Sequence, residues 1–354
     1  MAAHHETSAL LGRARSRLVE AARATAAELP PSIGVLDELA DQLLAMRLRG
    51  FSNEALAGLL SESGLGISAV ALTDYLQGRV LAQLVASGSS GGIHAVGSPA
   101  RACVIEARLR SALATGTGLS LHYQPQVDMA TGKTVGAEAL LRWRHGNEFV
   151  SPTEFIPVAE ASDLIDRIGD WVLKQAAMDA ARWMQMGLGS DQGIKVSVNV
   201  SVKQLSSRFA GVVHGALCDA GVPTRMLALE VTESQLASEG ALDYLTELRE
   251  SGLCLAVDDF GTGYSSLARI NRLPLDIIKI DRTFVQDLGR SAGAAAVVEA
   301  ILGMAKKLGI KTIAEGVETA LQAQVLQSLG CTIAQGYFYA RPMQFDDFIA
   351  FSRS

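Results

Sequence analysis

The sequence contains no uninterrupted apolar run of about 18 residues, which a membrane-spanning helix needs, and its N-terminus lacks the apolar core of a signal peptide. We therefore predict a cytoplasmic protein that does not enter a membrane. The four cysteines lie far apart, without a C-x-x-C pair or nearby histidines at ligand spacing, which argues against a zinc site and a disulfide framework. Positive charge is not in excess either, because 31 Lys and Arg stand against 37 Asp and Glu. No overall field therefore attracts nucleic acid or anionic lipid.

Apolar side chains, by contrast, are plentiful. They make up 49% of the 354 residues, against 19% charged residues, and the mean hydropathy is +0.22. This is the composition of a packed globular protein and not of a disordered chain. The length fits two domains, or one barrel with an appendage.

A linker is predicted at residues 87–98, which read SGSSGGIHAVGS and carry Gly or Ser at eight of twelve positions. It separates a small helical domain, residues 1–86, from a larger domain, residues 99–354. Upstream of residue 96 there are 7 Arg, no Lys and 9 Asp or Glu. Neither part is therefore a basic arm.

The first domain, here called the head, is predicted to be all-helical. Apolar residues at helical spacing indicate helices over 9–29 and 37–49, followed by short helices that begin near Ser52 and Ser68. The pattern resembles a helix-turn-helix module whose last helix would offer Thr73, Gln77 and Arg79 to DNA. A three-helix bundle that mediates protein–protein contact is the alternative, and the low positive charge favours it.

The larger domain alternates short apolar, β-branched runs with Ala- and Leu-rich helical runs, which predicts an α/β fold of the TIM-like (β/α)8 barrel type. The predicted strands are 119–127, 134–143, 195–200, 226–231, 254–258, 277–281, 312–314 and 331–335. The predicted helices between them include 171–186, 202–220, 241–251, 292–308 and 320–329. The first two strands follow each other through a Thr131-Gly132 turn, so one strand is predicted to be antiparallel.

Polar residues stand at or beside the carboxyl ends of the predicted strands, where barrels of this kind carry their chemistry. They are Glu138, Asn199, Glu230, Asp258, Asp259, Lys279, Glu315 and Gln335. Clustered carboxylates repel one another unless cations neutralise them. Oxygen ligands without His or Cys select Mg²⁺ or Mn²⁺ over zinc, and two such ions that share a carboxylate are typical of phosphate ester chemistry. Each residue alone is more often a solvated or ion-paired side chain, so only their joint occurrence indicates a site.

Several motifs in this half of the chain together resemble the EAL family of cyclic di-GMP phosphodiesterases. The central ones are Glu138-Ala139-Leu140 with Arg142, and DDFGTGYSS at 258–266. The others follow in family order: QPQVD at 124–128, FIPVAE at 155–160, SVNVS at 197–201, LEVTES at 229–234, KIDRTFV at 279–285, AEGVET at 314–319 and QGYFYARP at 335–342. No G-G-D-E-F string accompanies them, so a cyclase activity is not predicted.

The resemblance implies hydrolysis of cyclic di-GMP to linear pGpG with two Mg²⁺ or Mn²⁺ ions. It implies that Glu138, Asn199, Glu230 and Asp258 hold one metal and that Asp259, Glu315 and Asp258 serve the second. Lys279 would act on the attacking water with Glu138 and Glu315 as catalytic partners, and Gln124, Arg142 and Gln335 would bind the substrate. Glu233 would steady the loop that starts at Asp259, and that loop would couple activity to a homodimer formed through the barrel.

Two other functions remain open at this point. The barrel could be a cyclic di-GMP receptor without useful turnover, or the sensor of a transcription regulator whose output is the head. Degenerate family members usually lose a metal ligand or the lysine, and this sequence retains both. The enzyme is therefore the favoured prediction.

Overall fold

The structure, a computed structural model, describes residues 43, 53–62, 67–68, 71–72, 75–76, 99–189, 193–233, 236, 241–261 and 273–354. The chain forms two compact units, Met1–Arg110 and Ser111–Ser354. The predicted linker and the candidate DNA contacts Thr73, Gln77 and Arg79 lie outside the described residues. The predicted domain boundaries therefore stay a prediction.

Within the first unit, buried leucines form a small core. Helix α1 (Asn53–Glu62) contributes Leu56 and Leu60, which pack with Leu43, Leu72 and Leu76 and with Val104 of helix α2 (Pro99–Thr115). Ser68 caps the helical turn that follows it, because its Oγ accepts a hydrogen bond from the Ala71 backbone N–H at 3.2 Å. The leucine spacing seen in the sequence thus corresponds to a packed apolar face.

The second unit is the predicted barrel with one additional strand. Its strands are β1 (Leu119–Asp128), β2 (Thr134–His145), β3 (Glu148–Val150), β4 (Lys195–Asn199), β5 (Leu227–Thr232), β6 (Cys254–Phe260), β7 (Ile277–Ile280), β8 (Lys311–Ala314) and β9 (Ile333–Ala334). The sheet order is β1-β9-β8-β7-β6-β5-β4-β2-β3, and pairing of β1 with β2 closes the barrel. Strand β1 is antiparallel to both neighbours, as predicted.

The turn between β1 and β2 follows from its sequence. Asp128 Oδ1 accepts hydrogen bonds from the Thr131 backbone N–H at 2.8 Å and from the Thr131 hydroxyl at 2.9 Å. Gly132 then adopts φ 73°, in the left-handed region that glycine enters without steric cost. The predicted Thr131-Gly132 hairpin turn is thereby confirmed.

Helices surround the strands: five of them overlap the predicted helices, with differences at their ends, and the other three were not predicted. They are α3 (Pro152–Glu160), α4 (Leu164–Gln185), α5 (Ser207–Ala220), α6 (Ala241–Glu250), α7 (Arg282–Val285), α8 (Ala292–Leu308), α9 (Ala320–Ser328) and α10 (Phe345–Arg353). The predicted helix 202–220 is instead a 3₁₀ turn, Val202–Gln204, followed by α5, because Ser201 and Gln204 form a capping box around the turn. Among the described helices, none has both the length and the apolar character required to cross a bilayer.

The barrel interior is apolar below its carboxyl-terminal end. Ala228, Cys254, Ala256, Ile277 and Ile313 form one buried cluster there. Side chains alternate along a strand, so Cys254, Ala256 and Asp258 share one face of β6, as Ile277 and Lys279 do on β7. Small and branched apolar residues therefore support a polar layer above them.

Candidate active site

The polar layer is centred on Lys279, whose side chain is 0% exposed. Its position on β7 directs the ammonium among carboxylates that belong to β2, β5 and β6 and to the residue directly after β8. Lys279 Nζ lies 2.7 Å from Glu230 Oε2, 2.8 Å from Glu315 Oε1, 3.1 Å from Asp258 Oδ1 and 3.5 Å from Glu138 Oε2. Strand-end residues that are up to 177 positions apart in sequence thus meet at one cation.

The four carboxylates of this layer carry more negative charge than the single ammonium of Lys279 can neutralise. Burial opposes the charge of Lys279, but the surrounding carboxylates, led by Glu138, outweigh it and raise the pKa of Lys279 well above its usual value. Burial raises the pKa of Glu230 to about 8, although Lys279 acts in the opposite direction. Burial likewise raises the pKa of Glu315 well above the ordinary value for a glutamate. Further positive charge would therefore stabilise the ionised carboxylates.

The donor set fits divalent cations that prefer oxygen. Two groups of carboxylates each bring their oxygens within 4.8 Å of one another, and Asp258 belongs to both. The first group adds Glu138 and Glu230, and the second adds Asp259 and Glu315. Glu230 Oε1 is buried and has no hydrogen-bond partner within the described part of the chain, so it remains available as a ligand. Two ions that share Asp258 are compatible with this arrangement.

Asn199 ends β4 beside Glu230, its register partner on β5. Its Nδ2 donates a hydrogen bond to Glu138 Oε1 at 2.9 Å. The amide nitrogen is thus committed to a carboxylate, which leaves the amide oxygen as the ligand atom that a cation would use. The structure brings this predicted ligand to the first carboxylate group.

Asp259 has the only positive φ, 53°, among the described non-glycine residues. Its backbone N–H donates a hydrogen bond to Asp258 Oδ1 at 3.0 Å, which supports the unusual backbone conformation. Burial, together with the negative charges of Asp258 and Asp281, raises the pKa of Asp259 to about 6. Asp259 therefore adopts an unfavourable backbone conformation, and this conformation places two consecutive carboxylates at one site.

Two glutamines link the acids to the wall of the barrel. Gln335 Nε2 donates to Glu138 Oε2 at 2.5 Å and to Gln124 Oε1 at 3.1 Å. Gln124 Nε2 in turn donates to the Ala340 carbonyl at 3.1 Å. Both glutamines line the open pocket that also contains Glu138, Asp258 and Glu315.

Arg142 lies two residues after Leu140, near the end of β2. It is half-buried, and its Nη1 donates to the Leu141 carbonyl at 3.1 Å. Burial lowers the pKa of its guanidinium, while the charge of Glu138 opposes that effect. Arg142 does not belong to the described pocket lining, so the structure places it beside the pocket and not in its wall.

Glu233 contacts both ends of the segment that carries the two aspartates. Its backbone N–H donates to the Asp258 carbonyl at 3.2 Å, and its Oε2 accepts from the Gly261 backbone N–H at 2.8 Å. The rest of the predicted loop, residues 262–266, lies outside the described residues. The geometry thus gives Glu233 a contact with the beginning of that loop.

Sequence reasoning missed several residues that line the pocket. They are Asp281, Arg282, Glu318 and Tyr337, together with Gly316 and Gly336. Each polar one stands two or three positions after a residue that the strand-end rule did identify, and Asp281 accepts a hydrogen bond from the Thr283 backbone N–H at 2.9 Å. A search that included the three residues after each identified strand-end residue would have found them.

A barrel of parallel strands closed by one antiparallel strand, with a shared-carboxylate site at its carboxyl-terminal end, defines the class of this protein. The chain belongs to the EAL domain family, whose sequence pattern matches residues 106–342.

Named relatives match the same region. Cyclic di-GMP phosphodiesterase NbdA of Pseudomonas aeruginosa is 41% identical over 243 residues, which are 68% of this chain and 30% of NbdA. Cyclic di-GMP phosphodiesterase PA2567 of the same organism is 39% identical over 247 residues, which are 69% of this chain and 41% of that protein. The chain spans less than half the length of these curated relatives.

A solved structure has the same fold. The phosphodiesterase PaMucR in complex with c-di-GMP superposes with a TM-score of 0.65 at 38% identity, covering 69% of this chain and 99% of that chain. This likeness supports the barrel architecture with its strand order.

Proposed function

We propose that this chain hydrolyses one phosphodiester bond of cyclic di-GMP and releases the linear dinucleotide pGpG. The observation that carries the proposal is the position of Asp258, which belongs to both carboxylate groups while Lys279 contacts both. A site with two ions that share a carboxylate suits in-line displacement at a phosphate ester, and the named phosphodiesterase relatives support cyclic di-GMP as that ester.

The residues that would hold the metals fit Mg²⁺ or Mn²⁺. Glu138, Asn199, Glu230 and Asp258 would hold one ion, and Asp258, Asp259 and Glu315 the other, because these are the oxygen donors that the structure gathers. When bound, such ions lower the pKa of a water molecule and offset the charge that grows on the phosphate.

Lys279 acts in this proposal as a hydrogen-bond donor. Its Nζ lies within 3.1 Å of Asp258 Oδ1 and Glu315 Oε1, so an ammonium there can donate a hydrogen bond to a water molecule held between the two carboxylate groups. The carboxylates of Glu315 and Glu138 hold that ammonium at 2.8 and 3.5 Å and complete the catalytic group.

Substrate binding is assigned to the pocket wall and to its edge. Gln124 and Gln335 offer amide groups to the nucleotide, and Arg142 donates a charge-assisted hydrogen bond to a phosphate once the ligand is present. Glu233 steadies the segment that starts at Asp259 through its contact with Gly261. That segment would transmit dimerisation of the barrel to the metal site, so the active form is proposed to be a homodimer.

The head is proposed to take part in output or assembly. Its helices would contact DNA through Thr73, Gln77 and Arg79, or another protein through the same bundle. With so few cations, binding to DNA would show a shallow salt dependence of roughly −0.9 per phosphate contact. A gel-shift at low and physiological salt decides between the two, because a bundle that only mediates assembly shifts no fragment and its removal changes the oligomeric state.

The proposed reaction is tested by chromatography of cyclic di-GMP after incubation with the purified full chain. We expect pGpG to form with Mg²⁺ or Mn²⁺ and formation to stop when a chelator is added. Binding of the nucleotide without turnover in either metal would identify a receptor instead.

A further inference from the structure

The orientation of the Asn199 amide depends on more than its bond to Glu138. A rotation that exchanges the amide oxygen and nitrogen would turn a donor group toward a cation, which is repulsive. Asn199 ends a strand and is exposed, so its own burial does not prevent such a rotation. The bond from Nδ2 to Glu138 opposes that rotation, and the bond can form only while the backbone of Asn199 keeps the amide within reach of Glu138. The turn that follows Asn199 is the part of the chain that can hold this backbone position.

That turn is held by its own capping box. Ser201 Oγ accepts a hydrogen bond from the Lys203 backbone N–H at 3.4 Å, and Gln204 Oε1 accepts one from the Ser201 backbone N–H at 3.0 Å. One residue earlier, the Val200 backbone N–H donates to the Glu230 carbonyl at 2.8 Å. The backbone on the carboxyl side of Asn199 is thus fixed over several residues.

A second set of bonds ties this turn to the end of α3. The Ser201 hydroxyl donates to Glu160 Oε1 at 2.7 Å, and Lys203 Nζ donates to the Glu160 carbonyl at 2.7 Å. A hydroxyl can donate only one hydrogen bond, and Ser201 donates its hydrogen bond to Glu160. Glu160 is half-buried and Ser201 is buried, which makes the bond stronger than one exposed to water.

Helix α3 is also anchored to the strand that carries Glu138. Phe155 of α3 packs edge-to-face on Trp143 of β2, with ring centroids 5.5 Å apart, and both rings are fully buried. The helix therefore connects β2 with the turn after β4. The hydrogen bond between the side chains of Asn199 and Glu138 is a second connection between β4 and β2.

A glycine in the middle of α4 supports the same turn. A Cβ atom on Gly169 would lie 1.7 Å from Gln204 Nε2, so any larger residue would require the end of the Gln204 side chain to move. Glycine inside a helix costs up to about 1 kcal/mol relative to alanine. Helix α4 thus gives up helix stability where it accommodates the capping box.

We propose that Glu160 and Ser201 are positioning residues of the metal site, whose hydrogen bond holds the Asn199 amide oxygen toward a divalent cation. This inference rests on the proposed function, in which Asn199 is a metal ligand. The two residues touch neither substrate nor cation and act through the turn between them and Asn199.

The test measures Mn²⁺ binding to the purified full chain without nucleotide, by titration followed with electron paramagnetic resonance. We expect Ser201→Ala and Glu160→Ala each to weaken Mn²⁺ binding about tenfold, the lower end of the loss seen when partners of metal ligands are removed. The double variant is expected to bind no more weakly than Ser201→Ala, because that single variant already lacks the hydrogen bond to Glu160. Glu160→Gln is expected to bind close to wild type, since its amide oxygen still accepts the hydroxyl proton.

Ser162→Ala is the matched control. Ser162 lies at the same end of α3, and its hydroxyl donates within that helix segment to the Val158 carbonyl at 3.0 Å, without contacting the turn. We expect this variant to bind Mn²⁺ as wild type does. A thermal midpoint measured without metal monitors folding of every variant, and Glu160→Ala decides alone if Ser201→Ala does not fold.

Wild-type Mn²⁺ affinity in Ser201→Ala or in Glu160→Ala would overturn the inference, as would equal weakening in Glu160→Gln. Wild-type Mn²⁺ affinity in an Asn199→Ala variant would also overturn the inference, because Asn199 would then not be a metal ligand. Weakened binding in the two alanine variants, in a protein that forms no pGpG, would instead support the inference and contradict the proposed hydrolysis.

Discussion

The ammonium of Lys279 lies 2.7 Å from Glu230 Oε2, and neither side chain has any solvent exposure. A buried ion pair recovers the cost of desolvation only with good geometry and further hydrogen-bond partners. Here the lysine has three more carboxylates around it. The pair is therefore part of a site in which negative charge exceeds positive charge, and its variants should respond to divalent cations.

Lys279→Ala should reduce pGpG formation by about 10²-fold or more, because a donor that orients water acts mainly in the transition state. It should also lower the free energy of unfolding of the metal-free protein by about 3 to 5 kcal/mol, since buried carboxylates lose their cation. Turnover assays and urea denaturation, each with and without Mg²⁺, measure these effects. Lys307→Ala, at an exposed position on α8, is the control and should change neither.

Asp258→Asn should also lower turnover by about 10²-fold or more, because it removes a charge that both carboxylate groups share. The substitution keeps size and shape, so folding should be retained. The number of Mn²⁺ ions bound per chain, measured by titration, should fall together with activity. Full turnover at saturating Mg²⁺ would remove Asp258 from the proposed ligand set.

Glu233→Ala should lower kcat, because Gly261 loses the carboxylate that accepts its backbone N–H at 2.8 Å. Removal of an accepting group from a partly buried donor costs about 1 to 3 kcal/mol, which corresponds to a loss of about 5- to 150-fold if it falls on the segment that carries Asp259. Glu233→Gln retains an acceptor and should recover most of the activity. Equal loss in both variants would show that the charge of Glu233, and not its hydrogen bond, matters.

Much of the barrel could be predicted from the sequence because two regular signals coincide. Alternation along strands and carboxyl-end placement identify Glu138, Asp258 and Lys279 without coordinates. Strand β3 was missed because three residues are too few to show alternation, and α3 was missed because Pro157 inside it resembles a helix end.

Contacts between distant segments could not be predicted in this way. The bond between Glu160 and Ser201 joins residues 41 positions apart, and no local pattern indicates it. The same holds for the way one ammonium meets four carboxylates, because the sequence orders the strands but does not give the distances between their side chains. The rise in the pKa of Lys279 that the four carboxylates cause in the metal-free protein follows only from those distances.

Replacement of Mg²⁺ by Ca²⁺ should stop hydrolysis without preventing nucleotide binding. Calcium accepts looser coordination, with oxygen distances of about 2.3 to 2.6 Å, and should hold water and phosphate out of line. Calorimetric titration with cyclic di-GMP in Ca²⁺ measures binding, and chromatography of the same samples measures turnover. Equal turnover in the two metals would contradict the proposed role of the carboxylate groups.

Gly169→Ala should lower stability, although alanine normally stabilises a helix interior. The added methyl group would meet Gln204 Nε2 and displace the side chain that accepts the Ser201 backbone N–H. Overpacking of this kind costs about 1 to 3 kcal/mol, which exceeds the gain in helix propensity. Gly303→Ala is the matched control, because Gly303 lies inside α8 and a methyl group added there would meet no described atom within 4 Å outside its own helical turn. Urea denaturation should show the control at or above wild-type stability, by up to about 1 kcal/mol, and Gly169→Ala below it. A Gly169→Ala variant as stable as the control would mean that the Gln204 side chain moves aside without a loss of stability. Packing against α4 would then not be needed to keep the turn after Asn199 in place.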